Sequence, residues 1–237
     1  MPGTLYLLPT PIGGPHPEAV LPAEVLSTTR SIEHFVVEEL RTARRYLSAI
    51  GHPRPIAELQ LAELNEHTPP TEVDGLLRPL LDGHNVGLMS EAGLPAVADP
   101  GALLVAAAHR HGIAVMPLVG PSSLMLTLMA SGLNGQRFAF AGYLPAKPDE
   151  RRRQLRLLEQ RSRAEGQTQL FIEAPYRNAK LLDDIVRTCA PSTLLTLGCD
   201  LTLPSGFVRT LSVAQWRGLS ELPSINKRNT VFGLLAM

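Results

Sequence analysis

Three short stretches concentrate the side chains that could do chemistry. The first is SEAGLPAVADPG, Ser90 to Gly101, where Glu91 and Asp99 are the only charges among alanines, glycines and prolines. A short apolar run, Val86 to Met89, precedes it and reads as a buried strand; Ala102 to Ala108 follows and reads as a helix. In an open α/β sheet, ligands bind at loops on the carboxyl ends of strands. A strand ending in a proline-stiffened turn with two carboxylates is therefore a candidate site. The same turn also fits an ordinary strand-to-helix connection, with Asp99 as cap and Pro100 at the first helical position. The second stretch, Glu173-Ala174-Pro175-Tyr176-Arg177, also falls at a strand end. Such a carboxylate–base cluster is a better catalytic candidate than a charge in mid-helix. The third is basic: Arg151, Arg152, Arg153, Arg156, Arg161 and Arg163, preceded by Lys147, fall within 17 residues. That suits phosphate contacts; with Glu150, Glu159 and Glu165 interleaved, it also suits a solvated helix face.

Other chemistries fit poorly. Gly13 and Gly14 follow a strand and Glu38 comes 25 residues after Gly13, near the place of a ribose-binding carboxylate in a dinucleotide site. That fingerprint needs three spaced glycines, and Pro11 and Pro15 remove amide donors that would face a pyrophosphate. No Walker phosphate loop is present. His52 and His67 are isolated, with no second histidine at ligand spacing, so no metal is expected. Ser122 and Ser123 follow Gly120-Pro121, which is not a nucleophile elbow; helix capping explains them.

The elements needed to position these groups are legible. Strands are expected at Thr4–Leu8, His34–Val37, Leu59–Leu64, Val86–Met89 and Ile113–Met116. Helices are expected over Glu18–Ser27, Leu40–Ile50, Glu72–Leu81, Ala102–Ala108 and Leu124–Ala130. This alternation predicts a mostly parallel α/β sheet. The glycine/proline loops after Leu8, Met89 and Met116 would then share one edge. Past Gly135 strands predominate: Arg137–Ala141, Thr168–Glu173, Ser192–Cys199, Phe207–Leu211 and Thr230–Leu235. Helices there are expected at Asp149–Arg163, Lys180–Thr188 and Val213–Arg217. A mixed sheet and a separate lobe follow, with domains at residues 1–120 and 121–237.

The 237 residues are 44% hydrophobic and 19% charged, a globular composition. No apolar run approaches the ~18 residues that span a bilayer. The start of the chain lacks the basic flank of a signal peptide. Two cysteines are too few for a disulfide framework. A cytoplasmic protein without membrane contact is expected. Because 22 basic and 22 acidic residues cancel, any case for a nucleic-acid partner must be local.

Five ordered segments carry a resemblance: LYLLPTPIG (Leu5–Gly13), SEAGLPAVADPG, PLVGPSS (Pro117–Ser123), GYLPAK (Gly142–Lys147) and EAPYR (Glu173–Arg177). They are similar to the tetrapyrrole-methylase superfamily of S-adenosylmethionine-dependent methyltransferases. The branch most resembled methylates the 2′-hydroxyl of a cytidine in small-subunit ribosomal RNA. The resemblance implies a two-lobed α/β homodimer with a donor cleft between the lobes. It implies donor contacts from Pro11, Ile12 and Gly13, from Ser90, Glu91, Ala92, Gly93 and Leu94, and from Ser122 and Ser123. The second lobe would add Ala174, Cys199, Asn229 and Thr230, and the product would be S-adenosylhomocysteine. Under this reading Asp99 keeps the capping role.

Departures fall on the acceptor side. The branch typically has aspartate at Glu91, Glu-Asp-Thr-Arg at Glu38–Arg41, histidine at Tyr176 and Glu-Leu-Thr-Lys at Asp200–Leu203. The chain also ends soon after its last strand, without the branch's small C-terminal extension. Because a ribose hydroxyl is a poor nucleophile, a base or nearby cation is required. Glu39, Glu173 and Lys147 are the expected catalytic groups; Arg41, Arg151, Arg152, Tyr176 and Arg177 are the expected substrate contacts. Besides an RNA methyltransferase, two readings compete: a methyltransferase of the same fold acting on a tetrapyrrole or other small molecule, and a non-catalytic binder of the donor or its product.

Overall fold

The computed structural model describes residues 1–14 and 16–237. Pro15, counted above among the prolines of the first loop, lies outside the described residues. The chain divides into two compact units, Met1–Ser122 and Ser123–Met237.

In the N-terminal unit the strands are β1 (Thr4–Leu7), β2 (His34–Val37), β3 (Gln60–Glu63), β4 (Val86–Met89) and β5 (Ala114–Pro117). The helices are α1 (Ala23–Arg30), α2 (Leu40–Ala49), α3 (Arg78–Leu81) and α4 (Ala102–Arg110). The strands form one sheet in the order β3-β2-β4-β1-β5, every pair parallel. A parallel sheet is covered on both faces, and the alternation of side chains divides two cores. Leu5, Val36 and Leu88 face Leu77, Leu80, Leu104 and Ala107. Leu8, Phe35, Val37 and Met89 face Leu21, Leu26, Ala43 and Leu47.

Two expected helices are broken. Glu18–Ser27 is a 3-10 turn, Pro17–Ala19, followed by α1, because Pro22 sits at the N-cap with an extended ψ of 147°. Glu72–Leu81 is a 3-10 helix, Pro70–Leu77, running into the single turn of α3.

The C-terminal unit holds β6 (Phe138–Tyr143), β7 (Thr168–Ile172), β8 (Leu194–Cys199), β9 (Phe207–Ser212) and β10 (Thr230–Leu235). Its helices are α5 (Ser123–Ser131), α6 (Pro148–Glu165), α7 (Asn178–Thr188) and α8 (Val213–Arg217). The sheet order is β6-β7-β10-β8-β9, parallel only between β6 and β7. Phe171, Leu195, Leu197 and Phe232 pack on one face with Leu155, Leu181, Ile185 and Trp216. Leu170 and Val231 pack on the other with Leu124 and Leu128 of α5. That helix lies close to β8: a Cβ on Gly198 would stand 2.1 Å from Thr127 Oγ1 and 2.9 Å from its Cβ. Gly198→Ala is expected to destabilise the protein by about 1–3 kcal/mol, the typical cost of overpacking a filled interior, read as a lower urea midpoint at unchanged slope.

Candidate active site

Because β4, β1 and β5 are neighbours in a parallel sheet, their outgoing loops run side by side at its carboxyl edge. The β1 and β4 loops are joined by two reciprocal backbone bonds: Thr10 N donates to Gly93 O at 2.9 Å, and Gly93 N to Thr10 O at 3.1 Å. The Thr10 hydroxyl donates to Ser90 O at 3.3 Å. Gly93 has φ +83°, where a side chain is strained, and a Cβ there would press on Ile12 at 3.2 Å. The β5 loop closes on the β1 loop equally tightly, since a Cβ on Gly120 would fall 2.1 Å from Pro9 Cβ. The structure thus brings Pro11–Gly13, Ser90–Leu94 and the turn leading to Ser122 to one edge. Ser123 opens α5 and belongs to the C-terminal unit.

The carboxylates at this edge have unequal roles. Glu39, an expected catalytic group, is the N-cap of α2: its oxygens accept from Arg41 N at 2.9 Å and Thr42 N at 2.6 Å. These bonds hold its carboxyl below the usual range, which makes it a poor base. Glu38 Oε2 accepts from Glu91 N at 2.9 Å, and burial outweighs that bond to push Glu38 upward. Glu91 Oε1 accepts from the Thr42 hydroxyl at 3.3 Å, so α2 is tied to the β4 loop.

Asp99 does not cap α4. Gly101 takes that place with φ +128°, after Ala96 at +64° and Ala98 at +67°. The Ser90 hydroxyl is buried and makes no hydrogen bond among the described residues. Burial, then the Glu38 carboxylate, raise the Asp99 pKa to about 7; Ser90 acts against this and Glu91 with it.

In the C-terminal unit the ends of β6, β7 and β8 and the starts of β9 and β10 share one edge. Glu173 follows β7 and is buried; its Oε1 accepts from Ala174 N at 2.7 Å, Arg177 Nε at 2.9 Å and Arg177 Nη2 at 2.5 Å. Its Oε2 is buried and has no partner among the described residues. The Arg177 guanidinium lies 5.3 Å from the ring centre of the exposed Tyr176. Beside this, Asp200 Oδ2 accepts from Arg228 Nε at 2.7 Å, and Asp200 Oδ1 from Asn229 N at 3.1 Å. Arg228 also donates to Ser224 O and Ser205 O. The Thr230 hydroxyl donates to Cys199 Sγ at 3.5 Å. Ala174, Cys199, Asn229 and Thr230 are therefore collected at this edge, together with Glu173. Sequence reading missed Arg228, which orders the loops around them; its partner is 28 residues away and leaves no local signal.

The basic helix α6 behaves differently from expectation. Arg151 is buried, donating to Asp184 Oδ2 at 2.8 and 2.5 Å and to Ala146 O at 2.8 Å. It is a structural ion pair and is not available to a phosphate. Arg152 is held by Asp149 at 2.6 Å and Asp184 at 3.2 Å. Arg161 pairs with Glu165, and Arg163 donates to Met237 O. Lys147, at the N-cap of α6, has an exposed ammonium 3.4 Å from Glu150.

A cavity of about 440 Å³ lies at the opposite end of the N-terminal sheet, lined by His34, Gln60, Arg78, Asp82 and His84 near the starts of β2, β3 and β4. Within the N-terminal unit it shares no lining residue with the β1, β4 and β5 loops. Among the described residues, no set of three or more His, Cys, Asp or Glu is placed to hold a metal ion, and no helix is long and apolar enough to cross a membrane.

Solved structures place this architecture. A crystal structure of the methyltransferase CobJ matches 99% of the chain and 94% of its own, at TM-score 0.63 and 18% identity. A uroporphyrin-III-C-methyltransferase from Thermus thermophilus matches 99% and 93%, at TM-score 0.55 and 21% identity. The fold is that of the tetrapyrrole methylases, a two-sheet α/β fold. No family model matches the chain. Among curated proteins, ribosomal RNA small subunit methyltransferase I of Xylella fastidiosa strain Temecula1 is 36% identical over 201 residues, 85% of this chain and 69% of that protein. Its namesake from Escherichia coli O157:H7 is 34% identical over 200 residues, 84% of this chain and 66% of that protein. The chain belongs to the ribosomal RNA small subunit methyltransferase I family and is a methyltransferase. The match spans about two thirds of the length of these two relatives.

Two stability outcomes follow from the buried Arg151–Asp184 pair and the half-buried Asp99. Arg151→Met should cost about 3 kcal/mol, because it leaves the buried Asp184 with Oδ2 unpaired and only the half-exposed Arg152 on Oδ1. Asp99 binds its proton more tightly in the folded state than unfolded, so its ionisation destabilises the fold as pH rises from about 4 to about 7. Asp99→Asn should therefore raise the melting temperature, with a gain that grows across that interval and is constant above it. The size at pH 8 is about 1 kcal/mol, since the site is partly open to solvent screening.

Proposed function

We propose that this chain transfers a methyl group from S-adenosylmethionine to a ribose 2′-hydroxyl of small-subunit ribosomal RNA. The name shared by its relatives supports the substrate class. The observation that carries the mechanism is the Glu173 carboxylate, with one oxygen held by three donors and the other buried and unpartnered. A buried polar atom without a protein partner needs one from water or a ligand.

The chemistry of the donor suits loops of small residues. Its ribose hydroxyls, adenine and amino-acid end call for backbone donors and acceptors, which loops of small residues expose. By the resemblance, Pro11–Gly13, Ser90–Leu94 and Ser122 are the donor contacts of the N-terminal unit, and Ser123, Ala174, Cys199, Asn229 and Thr230 those of the C-terminal unit. When bound, the donor supplies an electrophilic methyl carbon on a sulfonium.

The remaining work falls to side chains. Arg177 and the Ala174 amide fix the plane of the Glu173 carboxylate, so Oε2 can accept the proton of an incoming hydroxyl without a prior rotation. Arg177 stays protonated, its charge favoured first by the Glu173 hydrogen bond. Glu39 takes no part beyond capping α2, and Lys147 is an exposed cation beside Glu150. A cytoplasmic homodimer is part of the reading: the substrate implies the first, the resemblance the second.

Labelled methyl transfer from the donor into total RNA, protein and small-molecule extract, from cells lacking the enzyme, tests this. RNA labelling that collapses with salt supports the reading; label confined to a tetrapyrrole or other small molecule, or no transfer, overturns it. Glu173→Gln should lower kcat about 10²–10⁴-fold, the usual worth of a positioned base, with donor binding retained in calorimetry.

A further inference from the structure

The N-terminal unit has seven arginines and no lysine. Four have partners: Arg30 donates to Ile50 O, Arg54 pairs with Glu33, Arg78 with Asp82 and Arg110 with Asp74. The other three lie in α2, at positions 41, 44 and 45, and all are exposed. Spacings of three and four place them on one helix face. Ala43, Tyr46 and Leu47 form the buried face. The helix contains no acidic residue. The carboxylate nearest to Arg41 in sequence, Glu39, attracts it through space, but both its oxygens are on backbone amides.

This arrangement is unfavourable for the helix itself. Like charges at these spacings repel, and Arg41 sits in the first turn, where the helix dipole opposes a cation. A compensating polyanion removes both penalties, and guanidinium forks match phosphate oxygens in a bidentate manner.

The position is also informative. The first turn of α2 is bonded to the β4 loop through the Thr42 hydroxyl and Glu91, and the residue before its cap, Glu38, accepts from Glu91 N. From Arg41 to Arg45 the helix rises only about 6 Å. The three guanidinia thus begin one residue from a side chain that touches the candidate donor loop.

We propose that the exposed face of α2, formed by Arg41, Arg44 and Arg45, holds backbone phosphates of the acceptor RNA strand next to the β4 loop. It joins α6 as a basic surface: there Arg151 and Arg152 are bound internally, and Arg153 and Arg156 are exposed. The inference rests on the RNA reading above and adds the surface on which the strand lies.

The test compares wild type with an Arg44→Gln/Arg45→Gln variant and an Arg44→Lys/Arg45→Lys variant. Methyl transfer is measured into intact small ribosomal subunits and into protein-free small-subunit ribosomal RNA, both from cells lacking the enzyme, over about 50–200 mM salt. The glutamine pair should raise KM for RNA about tenfold with kcat and KM for the donor unchanged. Two lost phosphate contacts should flatten the slope of log(kcat/KM) against log[salt] by about 1.4, at ~0.7 per contact on a single strand. The lysine pair should restore most of the slope, and equal melting temperatures show that the fold is intact. Wild-type RNA methylation with an unchanged KM and slope in the glutamine pair overturns this surface and leaves the RNA reading standing. A defect seen on intact subunits but not on protein-free RNA assigns the face to a ribosomal protein and also overturns it. Failure of the wild type to methylate any RNA removes the underlying reading, and the surface with it.

Discussion

The two backbone bonds between Thr10 and Gly93 are the constraint on which the N-terminal edge depends. β1 and β4 are adjacent, yet β1 leads to β2 on one side and β4 leads to β5 on the other. Connections that leave neighbouring strands in opposite directions open a crevice at the carboxyl edge. The Thr10–Gly93 bridge closes the floor of that crevice by tying the two loops before they separate. Glycine at position 93 is a backbone requirement, because φ is +83° there and Ile12 packs against its Cα. Gly120 makes the corresponding close approach to Pro9 from the β5 loop. The prolines of these loops reduce the entropy lost when the wall is ordered. They also remove amide donors that would otherwise need partners.

Much of this was legible in the sequence, and for a definite reason. Runs such as Val86–Met89, His34–Val37 and Thr230–Leu235 are short, apolar and bounded by turn residues, and the structure assigns strands over those same residues. Their pattern carries the information because a strand buried on both faces is selected by composition alone. Positions that depend on distant partners were not legible. Arg151 lies on the inner side of α6 because Asp184 reaches it from α7, 33 residues later. Nothing in the local run of arginines distinguishes it from Arg153 or Arg156, which face solvent. Asp99 looks like a cap by spacing, but the left-handed residues Ala96 and Ala98 redirect the chain and leave Gly101 at the cap. Glutamate is not among the favoured N-cap residues, so the capping role of Glu39 gave no warning either.

Charge is distributed economically across the two units. The 22 cations and 22 anions cancel in sum, and most are engaged locally. Arg54, Arg78, Arg110, Arg161 and Arg187 hold surface carboxylates, pairs that are worth little individually. Arg151–Asp184 and Arg177–Glu173 are buried at least on the acid side. Their geometry therefore fixes side chains rather than merely balancing charge. The distinction separates two carboxylates that look alike in the sequence. Asp184 has both oxygens bound by arginines, whereas Glu173 spends only one.

The acceptor-side departures acquire local explanations on the same basis. Where the resemblance leads one to expect Glu-Leu-Thr-Lys, the chain has Asp200–Leu203. Asp200 sits at φ +46° and Thr202 at φ +72°. Aspartate enters the left-handed region more readily than most residues because its short side chain bonds nearby backbone. Here that bond runs to Asn229 N, and the second oxygen takes Arg228, which in turn binds the carbonyls of Ser205 and Ser224. Asp200 is thus a latch that joins the start of the β8–β9 connection to the approach to β10. The longer arm of a glutamate would displace the carboxylate from Asn229 N. The departure therefore concerns how the loops around Cys199, Asn229 and Thr230 are held, and the three hydrogen bonds on Glu173 involve none of these residues.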